Sequence, residues 1–238
     1  MSRKEEKECL SKVIEVISEN KESSLIFANV NIENFLAILL SAKSNEEHSK
    51  FPDFLFDNGC IEHFSVSSSK EDKKGSSFRK ELALKSKEQE KHLKEEFAKL
   101  PFKKNTFSVI SSANAYTNFS YEWFFESFKR NYSSHIRSLN KAQQEYKEVV
   151  FLIEHKSPRM IVEKHSKSPW YQLNKDKRIL EYLKENRGNV RYVIYFIVNA
   201  VEIIDLAKID SLIIDSCYYE KVECGRYCVP QILTVLDL

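Results

Sequence analysis

Apolar residues recur at two different spacings along this chain, and each spacing predicts one type of element. Residues 4–20 have apolar side chains at the i, i+3, i+4 and i+7 positions of an amphipathic helix, beginning at Leu10. Residues 190–198 form an almost continuous apolar run, which is typical of a strand buried on both faces. The same patterns predict further helices over 32–43, 78–99, 121–146 and 174–187, and further strands over 24–30, 53–57, 60–66, 106–112, 149–155, 201–206 and 211–214.

One predicted helix joins two of the most apolar strands. Helix 174–187 has Asn174 as its N-cap, and Gly188 lies just beyond its end, as a C-cap glycine should. It connects strand 149–155 to strand 190–198. A strand, a helix and a strand in this order predict a parallel strand pair with a right-handed crossover.

The dipeptide Asn58-Gly59 predicts a tight hairpin, because both positions of a type I′ turn need a positive φ. In the register that this turn sets, Leu55 lies opposite Glu62. Asp53 and Glu62 then share one face of the hairpin, diagonal to each other and within about 8 Å. Two carboxylates among apolar residues repel each other unless a cation lies between them, so the pair is a candidate metal site. The alternative is an ordinary hairpin in which Asp53 caps a turn and Glu62 faces water.

A second acidic position lies at the end of strand 149–155. Glu154 and Lys156 project to the same face of the strand, because side chains alternate between faces. The tripeptide Ile-Glu-His occurs twice, around Glu62 and around Glu154, so two places compete for one role. The alternative for Glu154 and Lys156 is a strand end that reaches solvent, where charged residues are common.

Composition restricts the class of protein more than its function. The chain has 238 residues, of which 42% are hydrophobic and 30% are charged, enough for one large domain or two small ones with a sizeable core. A net charge of +2 does not require a nucleic-acid partner, so any such binding must come from local patches. The charged N-terminus, the lack of a long apolar run and the odd count of five cysteines predict a cytoplasmic protein with reduced thiols and no membrane span.

A basic segment follows the hairpin. Between residues 70 and 104, 12 Lys and Arg residues stand against 7 Asp and Glu residues, a local net charge of +5. One interpretation is a solvated helix with i,i+4 ion pairs, and the other is a surface that contacts nucleic-acid phosphates. The candidates for phosphate contacts are Lys73, Lys74, Arg79 and Lys80.

The hairpin and the Glu-x-Lys stretch resemble the PD-(D/E)XK nuclease superfamily. Pro52-Asp53 matches the PD of that motif, and Glu62 matches the acidic residue on the next strand. Phe64 stands two positions after Glu62, where the superfamily has lysine. The resemblance implies an α/β fold with a mixed sheet and a restriction-endonuclease-like core of order αβββαβ, in which the three consecutive strands are antiparallel.

Two assemblies of that core are open. In the first, 60–66 is the third strand and the lysine comes from elsewhere in the chain. In the second, 53–57, 60–66 and 149–155 are the three strands, and 67–148 is a mainly helical insertion in a single domain covering 1–238. We prefer the second assembly because it explains more of the chain.

The resemblance implies hydrolysis of phosphodiester bonds in nucleic acid, with Mg²⁺ or Mn²⁺ as the cofactor. The second assembly places Glu62 beside Glu154 and Lys156, with Asp53 near the rim. The metal would lower the pKa of a bound water, and the lysine would orient that water or stabilise developing charge. The candidate ligands are Asp53, Glu62 and Glu154, and the candidate catalytic residues are Glu62, Lys156 and Lys70.

DNA is the expected partner in a restriction or repair role, and a homodimer stays open. The alternative function is a catalytically inactive nuclease-fold module that binds nucleic acid or protein. Phe64 at the usual lysine position favours that alternative.

Overall fold

The computed structural model describes residues 3–19, 24–46, 51–69, 108–115, 119–142, 145–157, 160–162, 170–224 and 227–234, together with Lys87, Glu88, Lys91 and Glu95. The helices are α1 (Arg3–Glu19), α2 (Ile32–Ser41), α3 (Tyr121–Lys141), α4 (Lys177–Asn186) and α5 (Ile209–Ile214), with 3₁₀ turns at Leu173–Lys175 and Leu206–Lys208. The strands are β1 (Leu25–Ala28), β2 (Lys43–Ser44), β3 (Phe54–Phe56), β4 (Gly59–Val66), β5 (Ser108–Ala115), β6 (Glu148–His155), β7 (Met160–Val162), β8 (Tyr192–Ile197), β9 (Ala200–Asp205), β10 (Val222–Cys224) and β11 (Tyr227–Thr234).

Seven of these strands form one mixed sheet in the order β2-β3-β4-β6-β8-β9-β1. Strands β4, β6 and β8 run parallel to one another, β9 is antiparallel to β8, and β1 is parallel to β9. The predicted α/β fold with a mixed sheet is therefore confirmed, as are the single sheet holding β3, β4 and β6 and the parallel pairing of β6 with β8.

Helices cover both faces of this sheet. On one face, α1 and α2 pack on residues such as Ile61 of β4 and Leu152 of β6. On the other face, α3 and α4 pack on residues such as Phe64 and Phe151. The five residues 149–153 of β6 are all completely buried, which explains why this central strand is a continuous apolar run.

The hairpin turn differs from its prediction. Leu55 pairs with Cys60 and Phe56 with Gly59, so the turn consists of Asp57 and Asn58, and the register is displaced by two residues. Gly59 is the first residue of β4 and does not have a positive φ. A Cβ at this position would clash with the carbonyl oxygen of Glu148 on β6. Gly59 is therefore needed for the close approach of two strands, not for the turn.

The direction of β6 is the main correction to the predicted core. The resemblance implied that the third strand runs antiparallel to β4, whereas β4 and β6 pair in parallel from Gly59–Glu148 to Val66–His155. A parallel pair needs a crossover connection, and α3 lies in that connection. The division of the chain into one domain with an insertion at 67–148 stays a prediction.

In the C-terminal half of the chain, two predicted features differ from the structure in smaller ways. The predicted strand 211–214 lies in α5, and the N-cap of α4 is Asp176 instead of Asn174. Asn174 lies in a 3₁₀ turn, where its backbone and side-chain N–H groups donate to the buried carboxylate of Glu202. Gly188 does have the positive φ expected of a residue that ends a helix. Among the helices that the structure describes, none is long and apolar enough to cross a bilayer.

Candidate metal centre

The carboxylates selected from the sequence lie on opposite faces of the central sheet. Glu62 alternates with residues that face α3, and Glu154 alternates with residues that face α1. The register pairs Glu62 with Phe151 and Glu154 with Ser65, so the two glutamates are also about 10 Å apart along the strands. The prediction that Glu62 lies beside Glu154 and Lys156 is therefore wrong. A register shifted by one residue would have put both glutamates on one face.

On the α3 face, Glu62 has a histidine partner that the sequence did not indicate. His135 of α3 contacts Oε1 of Glu62 through Nδ1 at 2.7 Å, and its ring stacks on Phe64 with centroids 4.4 Å apart. Asp53 accepts a hydrogen bond from the backbone N–H of His63 at 2.7 Å. Burial and the nearby charge of Glu62 raise the pKa of Asp53 to about 7. Asp53 and Glu62 are thus neighbours on this face, and the charge of Glu62 is one cause of the raised pKa of Asp53.

On the α1 face, three residue types that bind metals converge under the first half of α1. The side-chain ligand atoms of Cys9, His63 and Glu154 all lie within 4.8 Å of one another. Within the described part of the chain, this is the single group of three or more such residues that close together. Cys9 belongs to the buried stripe of α1, His63 points away from Glu62 on β4, and Glu154 is the penultimate residue of β6.

His63 is the member of this cluster that most needs an explanation. Its side chain is 0% exposed, and neither ring nitrogen has a hydrogen-bond partner. The ring approaches Glu154 with Nε2 and Oε2 3.5 Å apart, which is long for a hydrogen bond. A buried polar group without a partner costs roughly 1–3 kcal/mol, so native proteins rarely keep one without a reason.

Glu154 is held as an anion at the edge of the cluster. Burial acts to raise the pKa of Glu154, but the interaction with His63 and the charge of Lys156 outweigh it, and the pKa is lowered overall. The ammonium of Lys156 lies 3.5 Å from Glu154 and 3.9 Å from the carboxylate of Glu5 on α1. One lysine thus bridges a helix glutamate and a strand glutamate.

Cys9 is poorly suited to act as a nucleophile. Burial and, to a lesser extent, the charge of Glu154 raise the pKa of its thiol well above its usual value. A reactive cysteine in a Cys-His-Glu arrangement needs a lowered pKa and access to substrate, whereas Cys9 is 2% exposed. The same three side chains match the ligand types of a transition-metal site with three protein ligands.

A cleft of about 540 Å³ borders the cluster at the carboxyl ends of β6 and β8. Ligands of open α/β sheets commonly bind outside the carboxyl ends of the strands. Val198 in the β8–β9 turn has a φ of 52°, an unusual conformation for a β-branched residue. The lining includes Lys12, Glu15, Glu19, Glu154, Phe196 and Val198.

The structure brings together some predicted residues and leaves others untested. Glu154 and Lys156 are neighbours in one site, whereas Asp53 and Glu62 lie elsewhere. Of the basic segment 70–104, the structure describes only Lys87, Glu88, Lys91 and Glu95. Lys91 and Glu95 form an exposed i,i+4 ion pair at 3.8 Å. The remaining predicted residues lie outside the described residues: Lys70, Lys73, Lys74, Arg79 and Lys80.

Sequence reasoning did not single out Cys9, Glu5 or His63 as site residues. The one local signal for Cys9 is its place beside Leu10 in the inward stripe of α1. For His63, the signal is strand alternation, which points it away from Glu62 and toward the α1 face. No local motif links these positions, because the site is assembled from three separate elements.

Comparison of the chain with protein-family models, with curated proteins and with solved structures gave no significant match. The geometry of the site is therefore the basis for inferring a function.

Proposed function

We propose that this protein is a metal-dependent hydrolase that cleaves phosphodiester bonds of nucleic acid, with its centre at His63, Glu154 and Lys156. The observation that supports this proposal most is the placement of the Lys156 ammonium between Glu154 and Glu5, beside the buried ring of His63. The group also borders the cleft at the carboxyl ends of β6 and β8.

The arrangement keeps one feature that the resemblance to PD-(D/E)XK nucleases implies, because Glu154 and Lys156 retain the Glu-x-Lys order at the end of a central strand. Glu5 of α1 adds an acidic side chain that pairs with Lys156. A restriction-endonuclease-like core is part of the proposal. It departs from the expected core in the parallel direction of β6, and it leaves Asp53 and Glu62 outside the reacting centre.

Each side chain has a definite role in this proposal. A bound divalent ion would lower the pKa of a water and neutralise charge on the phosphate. Glu154 and His63 would hold that ion. Lys156 would donate to a phosphate oxygen as negative charge develops, and Glu5 would keep the lysine in place by its ion pair.

Cleavage of labelled single-stranded and double-stranded nucleic acids in the presence of Mg²⁺, Mn²⁺ or Zn²⁺ tests the proposal. Glu154→Gln and Lys156→Ala should each lower the rate by about 100-fold or more, as the loss of one charge-stabilising group usually does. Glu148→Gln and Lys147→Ala are matched controls at the opposite end of β6, and both should keep the wild-type rate.

Two outcomes would contradict the proposal. Nucleic-acid binding without cleavage by any of the three ions would support the catalytically inactive module instead. Loss of cleavage in Asp53→Asn or Glu62→Gln, with Glu154→Gln fully active, would move the centre to the α3 face of the sheet.

A further inference from the structure

The geometry points to a zinc-type site in which Cys9, His63 and Glu154 are the three protein ligands. The inference names the cofactor of the proposed hydrolase and rests on that function only for what the ion does there. It replaces the Mg²⁺ or Mn²⁺ expected from the sequence, because the residues that converge are not a set of hard oxygen ligands.

The distances in the cluster suit a tetrahedral ion. Zinc bonds of about 2.0–2.3 Å to nitrogen, oxygen and sulfur put neighbouring ligand atoms roughly 3.5 Å apart in a tetrahedron. Nε2 of His63 and Oε2 of Glu154 are already separated by 3.5 Å. The widest separation in the cluster is within 4.8 Å, which changes of about 1 Å in side-chain position would close.

The burial of His63 is an independent sign of a ligand. Its ring is completely buried, lies among the atoms of the cluster and has no hydrogen-bond partner on either nitrogen. A metal bond would satisfy one of these nitrogens, for which Glu154 at 3.5 Å is too far away to form a good hydrogen bond. An ordinary core position would be filled by an apolar residue.

The charges in the cluster also balance. A thiolate on Cys9 and the carboxylate of Glu154 together neutralise a dication, with the thiol proton released to solvent when the ion binds. Lys156 remains paired with Glu5 at 3.9 Å, so its positive charge does not depend on Glu154 alone. Cys9 and His63 are buried and the side chain of Glu154 is 22% exposed, so a fourth ligand would enter from the side of Glu154.

Cobalt titration of the full chain tests the ligand set directly. Co²⁺ binds at zinc sites in place of Zn²⁺, and it gives a thiolate-to-metal charge-transfer absorption band when a cysteine is one of its ligands. Because the cysteines near the C-terminus could also bind cobalt, the titration uses a background in which Cys217, Cys224 and Cys228 are replaced by serine.

We expect one equivalent of Co²⁺ to give the band, and excess Zn²⁺ but not Mg²⁺ to remove it. Cys9→Ser should abolish the band, and His63→Leu should lower cobalt affinity by about 100-fold or more. Cys60→Ser is the matched control, because Cys60 is equally buried but lies on the opposite face of the sheet, and it should leave the band unchanged.

The result that overturns the inference is a titration in which Cys9→Ser retains the band or His63→Leu retains full affinity. His63→Leu keeps the test decisive if Cys9→Ser does not fold. The cobalt titration and the cleavage assay can fail independently of each other. Cobalt binding without nucleic-acid cleavage would contradict the hydrolase alone, and Mg²⁺-dependent cleavage by Cys9→Ser at the wild-type rate would contradict the zinc site alone.

Discussion

Replacing His63 by leucine should stabilise the metal-free protein while removing its metal binding. His63 lies on the buried α1 face of β4, on the same face as Ile61 and opposite Leu152 of β6. Because neither ring nitrogen has a hydrogen-bond partner, the folded state bears the cost of removing both from water. Leucine has a comparable size and brings no polar atom into the sheet.

The size of the effect follows from the contacts of the ring. Each of the two unsatisfied ring nitrogens costs roughly 1–3 kcal/mol, and the 3.5 Å approach of Glu154 recovers part of this. We therefore expect a net gain of about 1–3 kcal/mol in the free energy of unfolding. For a chain of this size the melting temperature would rise by about 2–4 °C for each kcal/mol.

His155 is the matched control for this experiment. It is equally buried, on the neighbouring strand, but its Nδ1 is 2.6 Å from the hydroxyl of Tyr195 and its ring stacks on Phe124. His155→Leu should therefore lower stability by about 1–3 kcal/mol. Urea denaturation in the presence of a chelator measures both variants. If His63→Leu lowers stability as much as His155→Leu does, the ring of His63 is a structural group and the reasoning is refuted.

Three further predictions concern the scaffold of the site. Glu202→Ala should lower the free energy of unfolding by about 3–5 kcal/mol, because Leu173 and Asn174 lose the acceptor of three buried N–H groups. Burial raises the pKa of Glu202 to about 7, so the folded state binds a proton more tightly than the unfolded state does. The stability that this protonation adds should be greatest below about pH 4 and should be lost as pH rises through 7. Urea titrations of the Ala variant should lack this pH dependence. Gly59→Ala should cost about 3 kcal/mol or more, because the added Cβ would clash with the backbone of β6, and a normal urea midpoint would show that the strands can separate. Val198→Asn should raise stability by about 1 kcal/mol, because asparagine tolerates a φ of 52° better than valine does, and an unchanged midpoint would argue against strain in this turn.

The elements of the central sheet were predictable because their signals are local. The apolar run 149–155 and the amphipathic pattern of 4–20 each determine burial over a few residues, and both elements were confirmed. The pairing of β6 with β8 also followed from the helix between them. The predicted turn was wrong because Gly59 serves the contact with β6, which no local rule considers.

The site was less predictable than the sheet, because it depends on register. The sequence singled out Glu154 and Lys156, which are two residues apart at the end of β6 and form an ion pair at 3.5 Å. It could not show that Glu62 faces the opposite layer, since a shift of one residue in the β4–β6 pairing reverses that result. It could not show that Cys9 of α1 meets His63, because the docking of a helix on a sheet depends on packing over the whole face.

Anomalous diffraction at the zinc edge, from crystals of the full chain grown with Zn²⁺, locates the metal directly. We expect a peak within bonding distance of the Cys9 sulfur, the His63 ring and the Glu154 carboxylate. A map with no peak at these residues, or with its peak between Asp53 and Glu62 instead, would refute a metal centre on the α1 face.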